Sequence, residues 1–286
     1  MRSFRYVLAD VFTEIPLQGN QLGVFTDARD LDDGTMQALA LELGFSESVF
    51  VLPPREGGTV RIRIFTPTHE LPFAGHPTLG TAFVLGGPLQ LGTIQIETGR
   101  GIVPVELERD PSGRIVFGRM TQPVPTVADF ERVDELCAAL GIAGSALPVE
   151  VYDNGIQHVY VALESEAEVA AVRPNWGALA AGELVAALVG VNVFAGSGSR
   201  WKTRMFSPLD AVGEDAATGS AAGPLACHLA RRGWAPWGEQ IEISQGAEIG
   251  RASTLYATAW GEGERIERVE VGGTAVVVAR GEFKVP

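Results

Sequence analysis

The chain has 286 residues, 46% of them hydrophobic and 20% charged, a balance that supports a packed core and lies far from the low-apolar signature of disorder. A formal net charge of −13 with no basic cluster argues against nucleic acid and anionic membrane surfaces, both of which select for Lys and Arg. This length predicts two domains or one duplicated unit.

The opening residues MRSFRYVLADVF carry too short an apolar run, and no small-residue cleavage site, for a signal peptide. No apolar segment is long enough to span a bilayer, and the expectation is a cytoplasmic protein. RYVLADVFTE and NQLGVFTDA predict strands around a turn at Gly19 and Asn20. DDGTMQALALELGF sets Met36, Leu39, Ala40 and Leu43 at helical spacing, with Gly44 as the stop. SESVFVL and TVRIRIFT predict strands, leaving Ser46 and Glu47 on a connection, where functional side chains concentrate. GHPTLGTAFVLGG is apolar on nearly every side and predicts a helix enclosed by protein, with Pro77 in its first position and Gly86 and Gly87 ending it. TIQIET, GIVPVELE and RIVFGRM add short strands, so a sheet curled about one apolar helix is expected.

The order then repeats. TVADFERVDELCAALGI predicts a helix, PVEVYDNGIQHVYVAL paired strands around Asn154 and Gly155, NWGALAAGELVAALVG a helix and SRWKTRMFS a strand. TGSAAGPLACHLARRG predicts a second small-residue helix ending at Gly233, followed by strands. Arg63-Ile64-Phe65-Thr66-Pro67 matches Arg204-Met205-Phe206-Ser207-Pro208, and Gly75-His76 corresponds to Gly219-Ser220. The expectation is a duplication, with halves at 1–127 and 128–286 and the final strand free to pack back on the first half.

In such a duplication the two helices can turn their N-termini toward one cleft. Each would offer unpaired N–H groups and a partial positive charge to a small anion. Glycines at 75 and 219 admit a ligand close to the backbone, and His76 and Ser220 add polar side chains. Glu47, flanked by Phe45, Val49 and Phe50, is the candidate for proton transfer as a partly desolvated carboxyl. Its residue type equally suits an exposed loop glutamate or a strand-start hydrogen bond. Asp215 precedes the second helix, where it could as well brace its loop, and His76 in isolation reads first as a polar cap.

His69, His158 and His228 read as structural or surface residues, and Glu70 and Glu214 as solvated neighbours of the helix starts. Cys137 and Cys227 read as buried thiols. There is no CxxC, no HExxH and no ligand-spaced cluster, so no metal is expected. The only lysines, Lys202 and Lys284, have no motif-like setting for a Schiff base.

Taken together, GNQLGVF, GFSESVFVL, RIRIFTPTHELPFAGHPTLGTA, DNGIQHVYV, RMFSPLDAVGEDAATGSAAGPLACHLARRG and QGAEIGRAS resemble the PhzF family of phenazine biosynthesis in content, order and spacing. The similarity runs from about Tyr6 to the C-terminus. It implies an α/β fold like that of diaminopimelate epimerase: two pseudo-symmetric halves, each a curved sheet around a central helix, with the active site between them. It implies isomerisation of trans-2,3-dihydro-3-hydroxyanthranilate, a small carboxylated ring, in which a proton moves from C3 to C5 and the enol becomes a ketone. It also implies a homodimer that needs no cofactor and no metal.

The resemblance places the catalytic glutamate of the SE motif on Glu47 and the GH pair on Gly75 and His76. It places the ED aspartate on Asp215 and the TGS turn on Gly219 and Ser220. Asn20 of GN and Ser46 of the SE motif join the substrate-binding set. Epimerases of this fold use cysteines at the helix starts, where this chain has Gly75-His76 and Gly219-Ser220, so two-thiol racemisation is not expected. The implied roles are a Glu47 proton shuttle, His76 and Asp215 orienting the ring amine or hydroxyl, and Gly219 and Ser220 holding the carboxylate. Two other readings stand beside this one. One is a PhzF-like isomerase or epimerase with another small carboxylated substrate; the other is a non-catalytic small-molecule-binding protein, which has no need of Glu47, His76 and Asp215 together.

Overall fold

A computed structural model describes residues 1–180, 190–208 and 213–285. The chain separates into two units, Met1–Thr121 with Val271–Pro286, and Gln122–Glu270. No described helix is long and apolar enough to cross a membrane.

In the first unit β1 (Arg2–Val11) pairs antiparallel with β2 (Asn20–Phe25) on one side and with the C-terminal strand Ala275–Val285 on the other. Helix α1 (Asp33–Leu43) carries the chain to β3 (Glu47–Leu52), parallel to β2, and β4 (Val60–Phe65) returns antiparallel to β3. Asp32 caps α1 by accepting the Thr35 N–H at 2.8 Å, and Gly44 closes the helix at φ 65. The helix buries Met36, Leu39 and Ala40 against Phe25 and Phe50, whose rings stack at 4.7 Å.

A two-residue strand, β5 (Glu70–Leu71), leads into α2 (Gly75–Leu89), and β6 (Thr93–Thr98), β7 (Gly101–Arg109) and β8 (Ile115–Gln122) complete the sheet. Helix α2 is buried along nearly its whole length and packs against β1, β2, β3, β6 and β7, the enclosed helix the sequence predicts. Its ends differ from the prediction. Ala74 is the N-cap, so Pro77 stands third in the helix; its missing N–H falls among the first-turn donors that lack an intrahelical partner anyway. Gly86 and Gly87 do not end the helix, which runs to Leu89 and closes at Gln90. Gly86 serves close packing instead, because a Cβ there would lie 2.4 Å from Leu107 Cδ1.

In the second unit the predicted helix from Thr126 divides. Residues Thr126–Asp129 form β9, and only Val133–Leu140 form α3. The β-branched start of the segment is captured by pairing with β10 (Glu150–Asp153), which then turns at Asn154 and Gly155 into β11 (Gln157–Ala162). Short helices α4 (Glu166–Ala171) and α5 (Trp176–Ala180) follow. Residues 181–189 and 209–212 lie outside the described residues, so the helix predicted over NWGALAAGELVAALVG is described only in its first part.

Strand β12 (Gly190–Ser197) runs parallel to β11, and β13 (Arg200–Ser207) runs antiparallel to β12. Then come β14 (Gly213–Asp215), helix α6 (Gly219–Arg231), and β15 (Gln240–Gln245), parallel to β13. Strand β16 (Ser253–Glu262) lies antiparallel to β15. Helix α6 is buried from Gly219 to Ala230 and closes at Arg232, one residue before the predicted Gly233.

The pairing registers of the two units match. Ser48 faces Phe65 as Val191 faces Phe206, Ile64 faces Leu71 as Met205 faces Asp215, and Val60 faces Ile96 as Trp201 faces Ile243. The side chains repeat too. The Arg63 guanidinium lies 5.0 Å from the Phe65 ring and grips Glu70 at 2.7 and 2.6 Å; Arg204 lies 4.9 Å from Phe206 and grips Glu214 at 2.8 and 2.7 Å. Glu70 and Glu214 are thus not merely solvated neighbours, because each closes a bidentate pair across the turn that leads to its helix.

Candidate active site

Five of the eight predicted site residues come together within the first unit. Glu47 opens β3, Ser46 precedes it, Asn20 opens β2, and Gly75 and His76 are the first two residues of α2. The parallel register that sets Leu22 opposite Glu47 brings the two strand starts to the start of the helix. The Ser46 hydroxyl donates to Asn20 Oδ1 at 3.1 Å, which turns the Asn20 amide nitrogen toward His76 Nδ1 at 3.3 Å. Glu47 Oε2 lies 3.6 Å from the same Nδ1.

His76 is 2% exposed, and burial pushes its pKa down to about 3, with the Gln21 main chain working weakly the other way. At neutral pH it is an uncharged hydrogen-bonding ring. Its Nε2 makes no hydrogen bond among the described residues.

The other three predicted residues come together within the second unit. Asp215 ends β14 and is buried, and its Oδ2 accepts the Thr218 hydroxyl at 2.6 Å. Gly219 and Ser220 open α6. Neither α2 nor α6 has a side-chain cap, so no cap side chain covers the first N–H groups of either helix.

Sequence reasoning missed four residues that this unit sets around α6. His158 Nε2 lies 3.1 Å from Ser220 Oγ, and burial pushes His158 down to about 4, so it too is neutral. Asn154 donates to the Ser220 carbonyl at 2.9 Å, while Gln245 donates to Thr218 Oγ1 and to the Asp215 carbonyl, both at 3.0 Å. The duplication carried the signal for His158: by register it stands where the first unit has Leu22, a polar residue in an apolar slot of the repeat. The same register gives Glu47 the counterpart Gly190, where an added Cβ would lie 2.5 Å from Met205 Sδ. Only one of the two equivalent positions carries a carboxyl.

Cys137 and Cys227 are free and buried away from these groups, with burial raising both thiols, Cys227 to about 12. His228 is structural, packed among Tyr152, Tyr160 and Phe194 and bonded to Glu150 at 2.9 Å. His69 is exposed and bonded to Thr68 at 2.9 Å.

The family model for phenazine biosynthesis-like proteins, PhzC-PhzF, matches residues 9–281. The trans-2,3-dihydro-3-hydroxyanthranilate isomerase of Pseudomonas aeruginosa is 53% identical over 277 residues, 97% of this chain and 98% of that protein. Its namesake in Pseudomonas fluorescens is 50% identical over 276 residues, 96% of this chain and 98% of that one. Among solved structures, a PhzF-family phenazine biosynthesis protein from Bacillus anthracis aligns with a TM-score of 0.85 at 26% identity, over 100% of both chains. A hydroxyproline epimerase from Agrobacterium vitis aligns at 0.70 and 12% identity, over 99% of this chain and 91% of that one, a likeness of fold alone. The fold is of the diaminopimelate epimerase-like type that the resemblance implies.

Proposed function

Because the chain belongs to the PhzC-PhzF family of phenazine biosynthesis-like proteins, we propose that it is an isomerase that converts trans-2,3-dihydro-3-hydroxyanthranilate by moving a proton from C3 to C5, with Glu47 as acid and base. The observation that carries the one-base reading is the pairing of Glu47 with Gly190 as register equivalents. A symmetric two-base site would carry a proton-transfer group at both equivalent places, and at the helix starts, where epimerases of this fold use cysteines, this chain has Gly75-His76 and Gly219-Ser220. A proton that leaves and returns on one face needs only one such group.

The bookkeeping closes without a co-reactant. The C3–H bond breaks toward Glu47, its electron pair forms the C3=C4 double bond, and the former C4=C5 pair takes the proton back at C5. The C3 hydroxyl is then an enol, which becomes the ketone. Conjugation from C5 through C6=C1 to the carboxylate spreads the charge between the two proton transfers. His76 stands beside the carboxyl with Nδ1 toward Asn20 and Glu47, and its Nε2, which makes no hydrogen bond among the described residues, is offered to a polar group of the ring. Asp215 binds the ring amine or hydroxyl, and the α6 start at Gly219 and Ser220 takes the carboxylate. A homodimer and a cytoplasmic location belong to the same reading.

Replacing Glu47 by Gln tests it. Isomerisation should fall by about 100- to 10,000-fold while the folded protein still binds a hydroxyanthranilate-like ring. In heavy water the wild-type product should carry less deuterium at C5 than free exchange would give, because one carboxyl returns the proton it took. Near-normal turnover by the variant would refute the assignment.

A further inference from the structure

We propose that Gln245 and Thr218 are positioning residues that set the Asp215 carboxyl for its part in the reaction; this rests on the function proposed above. The amide of Gln245 is oriented by its oxygen, which accepts the Thr218 N–H at 3.1 Å. Its nitrogen therefore faces Thr218 Oγ1 and the Asp215 carbonyl, both at 3.0 Å. An amide nitrogen can only donate, so Thr218 Oγ1 accepts from it and must send its own proton elsewhere. That proton goes to Asp215 Oδ2 at 2.6 Å. The polarity of the whole chain is thus fixed from Gln245 outward, and it ends on the carboxylate.

The arrangement has a second effect. Thr218 is the N-cap of α6, and a threonine there ordinarily turns its oxygen onto the first N–H groups of the helix. Here it makes no such bond. Committed to Gln245 and Asp215, it leaves the start of the helix uncapped.

The first unit supplies an internal control. By register, Asp215 corresponds to Leu71 and Gln245 to Thr98, and Thr218, one residue before α6, corresponds to Ala74, one residue before α2. The backbone contact is common to both units. A Cβ on Gly246, whose φ is 79, would lie 2.4 Å from the Ala216 carbonyl oxygen, and a Cβ on Gly99 would lie 3.0 Å from Pro72 Cα. The fold therefore builds this turn with Leu71 and Ala74 in place of Asp215 and Thr218, and with Thr98, whose hydroxyl donates to the Gly101 carbonyl at 2.9 Å, in place of Gln245, so the Asp-Thr-Gln set in the second unit is not needed to hold it. The QGAEIGRAS segment thereby gains a role beyond packing.

The test uses the full chain, with steady-state kinetics on the dihydrohydroxyanthranilate and a thermal midpoint for each variant. Thr218→Val keeps the shape and removes the hydroxyl; it should lower kcat about 10- to 100-fold with little change in KM, the loss expected for a hydrogen bond to a charged group. Thr218→Ser should restore kcat to within about threefold of wild type, a rescue that a packing role would not give. Gln245→Met should match Thr218→Val, and the double variant should be no worse than either single one, because both act through one chain. An unchanged kcat in Thr218→Val, a serine variant as slow as the valine one, or losses that add in the double variant would overturn the proposal. If the valine variant does not fold, the serine and Gln245→Met variants decide the matter. An active Glu47→Gln enzyme would instead remove the underlying function, whereas an inactive one beside a fully active Thr218→Val refutes only the relay.

Discussion

Glu47 at the start of β3 and Ser220 at the start of α6 should fail in different kinetic ways. Glu47 is asked to act only while a proton is in flight, so its loss belongs in kcat. Ser220 is asked to hold a carboxylate that already carries its charge before the proton moves and gains only a share of the delocalised charge, so most of its interaction is present in the ground state as well. Ser220→Ala should therefore raise KM by about tenfold and change kcat by less than about threefold, as removal of uniform binding does. A Ser220→Ala enzyme that loses kcat instead would make the hydroxyl part of the chemistry. His158 holds that hydroxyl at 3.1 Å, and burial pushes it down to about 4, so it remains an uncharged partner at working pH. At this scale the sequence exposed residues whose setting is local. Glu47 is the carboxyl of SESVF, and His76 and Ser220 sit beside glycines at helix starts. Thr218, Gln245 and Asn154 were hidden because their partners are 3 to 66 residues away and nothing in their neighbours' chemistry marks them.

Helix α6 shows how an element can be built around its first turn. Pro224 has no N–H to give to the carbonyl four residues earlier, so the Ser220 oxygen would be left buried and unpaired. Asn154 supplies the missing donor at 2.9 Å, between Gln122 on the Gly219 carbonyl and Tyr160 on the Ala221 carbonyl, each at 2.8 Å. Asn154→Ala should destabilise the protein by about 1–3 kcal/mol in a denaturant titration, the cost of a stranded buried acceptor. In a Pro224→Ala background, where a main-chain N–H can reach the same oxygen, the penalty should shrink to less than about half. An equal penalty in both backgrounds would show that Asn154 stabilises some other contact. Element boundaries misread from sequence have the same kind of cause. TVAD continues a helical pattern on paper, yet partner strand β10 claims it, and Gly86 looks like a stop until Leu107 is seen against it. Such outcomes depend on a distant strand, which no local window contains.

For the whole molecule the duplication was legible because the Arg-x-Phe strand ends and glycine-led helices occur twice in one order, and the matching registers carry that repeat through each unit. What the duplication does not reveal is that each unit buries a neutral histidine beside its helix start. His76 is pushed down to about 3 and His158 to about 4, in both cases by burial, from an ordinary value of 6.5. Unfolding returns both rings to water, where they take up protons below about pH 6.5, so the unfolded state binds more protons than the native one. Stability is then complete above the unfolded value and falls as the pH drops toward the folded ones. Each ring contributes a slope of up to about 1.4 kcal/mol per pH unit between about pH 6 and pH 4. Glu150 adds to the same trend: burial raises it, but the His228 and Arg232 hydrogen bonds outweigh that and hold it at about 2, so its share begins to be lost below the ordinary glutamate value of 4.5. Urea unfolding midpoints should be nearly flat from about pH 8 to pH 7 and should decline steadily below about pH 6.5, before carboxylate protonation begins. His76→Asn and His158→Gln should each flatten that decline in proportion to the ring removed, whatever they do to catalysis. A midpoint that holds constant down to about pH 5, or variants with the wild-type slope, would mean the rings accept protons in the folded protein and are not the sealed neutral donors and acceptors on which the roles of Asn20 and Ser220 depend.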